Sequence, residues 1–179
     1  IDIPAEYFLD VIKRQAVVNP GIQFELVYRS GDKPEKTVFC YQNGISDYLK
    51  ELVGENGLTA PEYWEAERTV RDREDKEDYR VKLSVAFCFS NRVKLCEYYH
   101  NSSFLEYGGS PERAVRQAFT SQIDSYLRTS GRYLKNESKI TFADVEDALV
   151  LISSSFSTHT SYENQTKKAI TNKFIYEAM

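Results

Sequence analysis

A polar segment near the end of the chain carries the residues best suited to chemistry with an anion. Residues 161–168 read Ser-Tyr-Glu-Asn-Gln-Thr-Lys-Lys, and we expect a helix from Thr166 to the end. Lys167 would then lie just inside a helix that a polar loop precedes. A lysine in that position can project a mobile ammonium group toward an external anion. Taken alone, such a lysine is more often simply solvated.

A second candidate lies at the start of the predicted long helix. Gly108 and Gly109 are followed by Ser110, Pro111 and Glu112. This order is typical of a helix start, because serine caps, proline suits the first turn and an acid favours the positive end of the dipole. Free N–H groups there can cradle an anion. Two glycines also allow a sharp turn, and we favour that interpretation.

The long helix itself carries a basic face. Residues 92–139 hold eight basic and five acidic side chains, a net of +3, whereas the whole chain has a net charge of −4. Arg113, Arg116 and Arg128 lie away from the apolar stripe and are candidates to face DNA. Affinity for a phosphate backbone falls as salt rises, which makes this hypothesis testable. A solvated helix face is the commoner explanation.

Other chemistries have little support in this sequence. Its two histidines, His100 and His159, are 59 positions apart, and no metal-binding spacing, P-loop or GxGxxG motif occurs. The three cysteines lie in apolar, strand-like runs, which suits reduced thiols in a cytosol better than disulfides. We therefore expect no metal site, no nucleotide bound through those motifs and, since no run of about 18 apolar residues occurs, no membrane span.

Length and composition indicate one globular domain. The chain has 179 residues, of which 41% are apolar and 28% charged. Its only methionine is the last residue, Met179. We expect residues 1–179 to be a piece of a longer protein.

Hydrophobic periodicity predicts a single α+β domain with the order α-β-β-α-β-β-β-α-α-β-α. A hairpin is predicted over residues 22–41, with its turn at residues 30–33. A run of charges at residues 72–78 suits a solvated hairpin tip.

The second half of the chain contains the clearest elements. Residues 81–89 alternate between large apolar and smaller or polar side chains, and we expect residues 93–101 to be their antiparallel partner. Thr141 is predicted to cap a short helix, with Asp144 completing a capping box. Residues 149–156 are predicted to form a buried strand.

Short motifs occur in order along almost the whole chain. Residues 17–22 resemble the run FLNPGI, residues 39–45 resemble FxYxGGI, residues 101–119 loosely resemble NNINTxEGGTHExGFRxAL, residues 144–149 resemble DVREGL, and residues 165–167 read QTK. Together they resemble the transducer domain of the ATPase subunit of type IIA DNA topoisomerases, which comprise DNA gyrase and topoisomerase IV. Each motif is weakly specific, but five in the right order and spacing are strong.

The resemblance implies a fold and a domain boundary. Residues 1–179 would be one two-layer α+β domain, with a mostly antiparallel sheet and helices on one face, typified by the second domain of small-subunit ribosomal protein five. An ATP-binding domain would precede it in the longer protein. The chain alone should therefore not hydrolyse ATP.

The resemblance also implies roles for the QTK residues. Lys167 would contact the γ-phosphate of ATP, Gln165 would share that contact, and Thr166 would cap or orient the loop. ATP and Mg²⁺ would be held mainly by the upstream domain. The parent would be an isomerase of the bacterial cytoplasm, associated with the nucleoid. There a homodimeric clamp would close around DNA and pass it through a cut made by a partner subunit.

The chain also departs from the family motif. Tyr107 and Pro111 stand where the family has an acid and a histidine, and Asn43 replaces the first residue of a double glycine. These departures leave two alternatives open. One is a non-enzymatic interaction module in a degenerate paralogue, and the other is the middle domain of another ATPase of the same superfamily.

Overall fold

The computed structural model describes residues 3–30, 33–71 and 77–179. Its elements, in chain order, are α1 (Ala5–Val18), β1 (Phe24–Ser30), β2 (Lys33–Phe39), α2 (Ile45–Val53), β3 (Glu62–Val70), β4 (Tyr79–Phe89), β5 (Leu95–His100), β6 (Ser103–Phe104), α3 (Ser110–Thr129), α4 (Phe142–Glu146), β7 (Leu149–Ser157) and α5 (Lys173–Ala178). The predicted order is confirmed, with the short β6 added. Residues 31–32 of the predicted turn and residues 72–76 of the predicted charged tip lie outside the described residues.

The strands form two separate sheets. β1 and β2 pair antiparallel, with Phe24 opposite Phe39, as the predicted hairpin requires. The other five strands form one sheet in the order β3-β4-β7-β5-β6. β7 lies at its centre, and the four consecutive residues from Leu149 to Ile152 are completely buried. Such a run of apolar residues is typical of a strand that is covered on both faces.

The pairing of β5 differs from the prediction. β5 was expected to lie antiparallel to β4, but it pairs in parallel with β7, with Leu95 opposite Val150. β4 has β3 on one edge and β7 on the other, with Val85 opposite Ser153 in the second pairing. No edge of β4 is therefore open to β5. Proximity along the sequence favoured the wrong neighbour, because β7 follows much later in the chain.

Helices cover both faces of the five-stranded sheet, whereas helices on one face were expected. On one face, Val81 and Leu83 of β4 belong to a core shared with α3, α4 and α5. On the other face, Ala86 and Cys88 belong to a core shared with α1 and α2. Successive side chains of a strand point to opposite faces, and here both sets are apolar. The domain therefore has three layers, while its α+β class, with a mostly antiparallel sheet, is confirmed.

The helix ends follow from local chemistry. The capping box at α4 is confirmed, since the Thr141 N–H donates to Asp144 Oδ2 at 2.7 Å. Ser110 was expected to cap α3, but it is the first helical residue, and Gly109 occupies the cap position. The terminal helix was predicted from Thr166, yet α5 begins only at Lys173. Residues 158–172 form a loop instead.

Candidate functional site

The loop that joins β7 to α5 folds back on itself and presents the QTK residues at its tip. The Glu163 N–H donates to the Ala169 carbonyl oxygen at 3.0 Å, and the Thr171 N–H donates to the Ser161 carbonyl oxygen at 2.9 Å. These two bonds tie the arms of the loop together. Residues 164–168 are thereby left as a short projecting turn, and residues 164–167 are exposed.

The turn at the tip has a defined backbone. The Lys167 N–H donates to the Asn164 carbonyl oxygen at 3.2 Å, and the Thr166 hydroxyl donates to Asn164 Oδ1 at 2.5 Å. Lys167 has a φ of 57°, in the left-handed region, which costs a non-glycine residue about 1 kcal/mol. Thus Lys167 lies in a tight turn before α5, and the prediction that it lies inside a helix is wrong. The side chains of Gln165, Thr166 and Lys167 share one exposed tip.

The two adjacent lysines have different surroundings. The Lys168 ammonium lies 2.5 Å from Glu106 Oε2, and this hydrogen-bonded carboxylate raises the pKa of Lys168. The Lys167 ammonium instead lies 5.5 Å from the centre of the Tyr162 ring. Across residues 3–30, 33–71 and 77–179, no carboxylate lies within ion-pair distance of it. Lys167 is therefore the lysine of this pair that can accept an external anion without breaking a salt bridge.

The double glycine supports the base of the loop. A Cβ on Gly109 would lie 2.3 Å from the Ile170 carbonyl oxygen, and Gly109 has a φ of 88°. The Ser110 N–H donates to that same carbonyl at 2.9 Å, and the Tyr107 N–H donates to the Lys168 carbonyl oxygen at 2.9 Å. Because Ile170 already occupies the Ser110 N–H, the turn interpretation is favoured over the anion cradle. The role of these glycines is close backbone packing.

A buried polar cluster lies beneath the loop, and the sequence analysis did not identify it. His100 is completely buried, with Nδ1 at 2.8 Å from Ser155 Oγ and Nε2 at 2.8 Å from Thr160 Oγ1. Burial lowers the pKa of His100 to about 4, so the ring is neutral at pH 7. The Ser155 hydroxyl donates to the Tyr99 carbonyl oxygen at 3.2 Å, so it accepts from His100 Nδ1–H. His100 is thus a hydrogen-bonding residue and not a base for Ser155.

The structure brings two of the three predicted DNA-facing arginines together. Arg113 and Arg116 line a groove of about 580 Å³ between α3 and α5, together with Lys173. Arg116 pairs with Glu112 at 2.9 Å, while Arg113 donates to the Ser110 hydroxyl at 3.2 Å. Lys173 is a basic residue that the sequence analysis missed, because it was hidden inside a predicted helix that began too early.

Arg128 is separate from this groove. It lies 12 residues beyond Arg116 on the same helix, which corresponds to about 18 Å of axial rise. Its guanidinium group pairs with Asp124 one turn earlier. The three arginines therefore do not form one site.

Two further observations concern the described part of the chain. No cluster of three or more His, Cys, Asp or Glu side chains among those residues has the arrangement of a metal site. None of the helices found there combines the length and apolarity needed to cross a bilayer.

Comparisons with known proteins agree with this architecture. DNA gyrase B of Metamycoplasma hominis is 28% identical over 167 residues, which cover 92% of this chain and 25% of that protein. The B-subunit of DNA topoisomerase 4 from Rickettsia prowazekii is 24% identical over 168 residues, covering 90% of this chain and 24% of that protein. This chain spans about a quarter of the length of these curated relatives.

Solved structures share the fold at low sequence identity. The 43K ATPase domain of Thermus thermophilus gyrase B, solved with an aminocoumarin, matches with a TM-score of 0.66 at 17% identity, over 99% of this chain and 45% of that one. The B-subunit of the DNA gyrase from Myxococcus xanthus matches with a TM-score of 0.68 at 15% identity, over 99% and 47%.

The family model described as DNA gyrase B matches residues 44–179, which is more than half of the chain. The resemblance inferred from the five motifs is therefore confirmed. This chain belongs to the DNA gyrase B family, as a gyrase B-like transducer domain of a type II topoisomerase.

Proposed function

We propose that residues 1–179 are the transducer domain of a longer ATP-dependent topoisomerase chain, in which Lys167 contacts the γ-phosphate of ATP. The observation that supports this proposal is the difference between the two lysines at the loop tip. Lys168 is held by Glu106, whereas Lys167 projects from a fixed turn with only the Tyr162 ring beside its ammonium group. An ammonium group that is held in place but not neutralised suits an external phosphate.

The contact can do mechanical work because it depends on the nucleotide. A charge-assisted hydrogen bond to phosphate contributes about 1.5–3 kcal/mol, and it is lost when the γ-phosphate leaves. A ligand shifts a conformational equilibrium only by its difference in affinity for the two states. Loss of this bond supplies such a difference between the ATP state and the product state. In this proposal Gln165 shares the phosphate contact, and Thr166 fixes the turn through Asn164.

ATP and Mg²⁺ belong to the longer protein in this proposal. The donor set at the tip, one ammonium and one amide, fits a terminal phosphate but not a whole nucleotide. The tip would therefore complete a site that another domain mainly builds. Mg²⁺ would neutralise charge on the bound phosphates, and its ligands would come from that other domain. The chain alone would bind no nucleotide of consequence and would have no ATPase activity.

DNA is the proposed macromolecular partner. The groove between α3 and α5 places the Arg113 and Arg116 guanidinium groups near the Lys173 ammonium group, a set that suits a phosphate backbone. Arg128 would extend the same helix toward DNA at a second position. In the parent, an isomerase acting at the nucleoid, ATP binding would close a homodimeric clamp around one DNA segment. That segment would then pass through a cut made by a partner subunit.

The test compares the two lysines in the parent protein that carries the ATP-binding domain. Lys167→Ala is expected to lower kcat/KM for ATP hydrolysis by about ten- to a hundred-fold, the equivalent of the lost phosphate contact. Lys168→Ala, the matched control, breaks only an exposed ion pair and should have little effect. Equal rates for Lys167→Ala and the wild type would refute the phosphate contact. A wild-type parent without ATPase activity would favour the degenerate interaction module.

A further inference from the structure

The turn that follows β5 has an unusual backbone. Asn101 and Ser102 both have positive φ values, 47° and 62°. Two successive residues of this kind form the tight turn that joins β5 to β6, and asparagine tolerates the left-handed region better than serine does. A backbone of this kind persists where surrounding contacts hold it in place.

The Asn101 side chain binds the end of β7. Its Oδ1 accepts from the Ser157 N–H at 2.9 Å, and its Nδ2 donates to the Ser157 carbonyl oxygen, also at 2.9 Å. The same Nδ2 donates to Thr160 Oγ1 at 3.0 Å. One amide group therefore holds both polar groups of one backbone residue and a hydroxyl at the base of the loop. This fixes the direction in which the loop leaves the sheet.

His100 binds the same threonine from below. The Thr160 hydroxyl can donate to only one partner, and the neutral His100 Nε2 is the acceptor within reach at 2.8 Å. The His100 ring also lies 6.2 Å from the Tyr162 ring, edge to face. Tyr162 in turn lies under the Lys167 ammonium group. Contacts therefore run without a gap from His100 to the proposed phosphate-sensing lysine.

Helix α1 braces the turn from its other side. Gln15 Nε2 donates to the Ser102 carbonyl oxygen at 3.0 Å, and the Arg14 guanidinium lies 3.7 Å from the centre of the Phe104 ring. The turn is thus fixed to the body of the domain independently of the loop. A fixed turn is what a positioning element requires.

We propose that His100 and Asn101 are positioning residues, which set the placement of Lys167 by holding the Thr160 hydroxyl at the base of the loop. Neither residue touches the phosphate. Their contribution is to limit the loop to the arrangement in which the tip projects with Lys167 over Tyr162. The consequence for ATP rests on the proposed function of Lys167, whereas the effect on the loop does not.

The first measurement is hydrogen exchange of the loop, made in the parent protein. Thr160→Val removes the hydroxyl and keeps the shape of the side chain, and Thr160→Ser keeps the hydroxyl and removes a methyl group. In the valine variant, we expect the hydrogen-bonded amides of Glu163 and Thr171 to exchange about ten-fold faster. The serine variant should exchange like the wild type. Unchanged exchange in the valine variant would overturn the proposal.

A second variant protects the test against a fault of Thr160 itself. Asn101→Asp keeps the shape and the acceptor of the amide but removes both donated bonds. It should accelerate exchange of the same loop amides and leave β4 and β7 protected. The control is Asn136→Asp, because Asn136 also has a positive φ, 71°, outside the hydrogen bonds of this cluster. Equal exchange in the two aspartate variants would count against the proposal.

ATPase rates then separate the two hypotheses. If Lys167 senses phosphate, Thr160→Val should lower kcat/KM in the wild-type background and have no further effect in the Lys167→Ala background. A full additional effect there would overturn positioning, because Thr160 would then act by another route. If Lys167→Ala leaves the ATPase unchanged while Thr160→Val still loosens the loop, the sensing role fails and the positioning of the loop stands.

Discussion

At the scale of single residues, the chain gives the same side-chain types very different tasks. Lys167 and Lys168 are neighbours in sequence, but only Lys168 has a carboxylate, Glu106, against its ammonium group. His100 and His159 differ in the same way. His100 is completely buried and bonded at both ring nitrogens, while His159 lies exposed with its ring 4.9 Å from that of Tyr79. Residue type alone could not separate these cases, since burial and partners decide them.

The buried histidine predicts how stability depends on pH. Burial lowers the pKa of His100 from 6.5 to about 4, so between these values the unfolded chain binds a proton that the folded chain does not. Stability contributed by the neutral ring is complete above pH 6.5, falls as pH decreases toward 4, and is then lost. The loss amounts to about 3 kcal/mol. His100→Gln should be less stable at pH 7, and its free energy of unfolding should fall less steeply with acid.

The measurement is urea unfolding at several pH values from 4 to 7, read as the difference between the two proteins. Carboxylates titrate in both, so their contribution cancels in that difference. Parallel profiles for His100→Gln and the wild type would contradict a buried neutral ring.

At the scale of elements, local patterns were predictable and long-range partners were not. Alternation identified β4, and the spacing of Thr141 and Asp144 identified the start of α4, because both signals depend only on nearby residues. The neighbour of β5 is set by β7, some 50 positions later, so proximity misled the prediction. The fold family and the exposed QTK tip were predictable from motifs. The cluster of His100 and Thr160 was not, since 60 residues separate its two members.

The false terminal helix has a similar cause. Residues 166–172 contain no proline or glycine that would break a helix. Backbone bonds to other elements hold them extended instead, including the bond from the Ser110 N–H to the Ile170 carbonyl oxygen. Tertiary contacts override helix propensity at such positions.

The docking of the loop on the start of α3 predicts a specific sensitivity at Gly109. A Cβ there would lie 2.3 Å from the Ile170 carbonyl oxygen, in addition to the cost of the positive φ. Gly131→Ala is the matched control, because Gly131 has a φ of 64° and open space around the added carbon. We expect Gly131→Ala to cost about 1 kcal/mol of unfolding free energy. Gly109→Ala should cost about 3 kcal/mol or more, since backbone must also move.

Both values come from urea unfolding monitored by circular dichroism. Equal losses for the two alanine variants would mean that the contact between Gly109 and Ile170 is not tight in solution. Loop exchange in the Gly109→Ala variant should also increase, because the Ser110 bond to Ile170 is the one displaced.

At the scale of the whole molecule, the sheet acts as a platform between two cores. α1 and α2 cover one face and α3, α4 and α5 cover the other, so β7 is buried along most of its length. The loop that carries Lys167 leaves directly from the end of this buried strand. A displacement of the tip by a phosphate contact would therefore act on the best-packed strand of the domain. Close-packed interiors transmit such displacements because they deform little.

The distribution of charge over the molecule predicts where DNA binds. The net charge of −4 opposes DNA, so attraction must come from a local patch, and the groove between α3 and α5 holds Arg113 and Lys173. Each phosphate contact contributes about −0.9 to the slope of log K against log salt for duplex DNA. In the parent, the double variant Arg113→Gln/Lys173→Gln should weaken binding and reduce the magnitude of that slope by about 2. The control Lys36→Gln/Arg80→Gln removes the same charge from β2 and β4 and should leave the slope unchanged. Fluorescence anisotropy over a salt series measures both, and equal slopes in the two double variants would mean that net charge, and not this groove, governs the affinity.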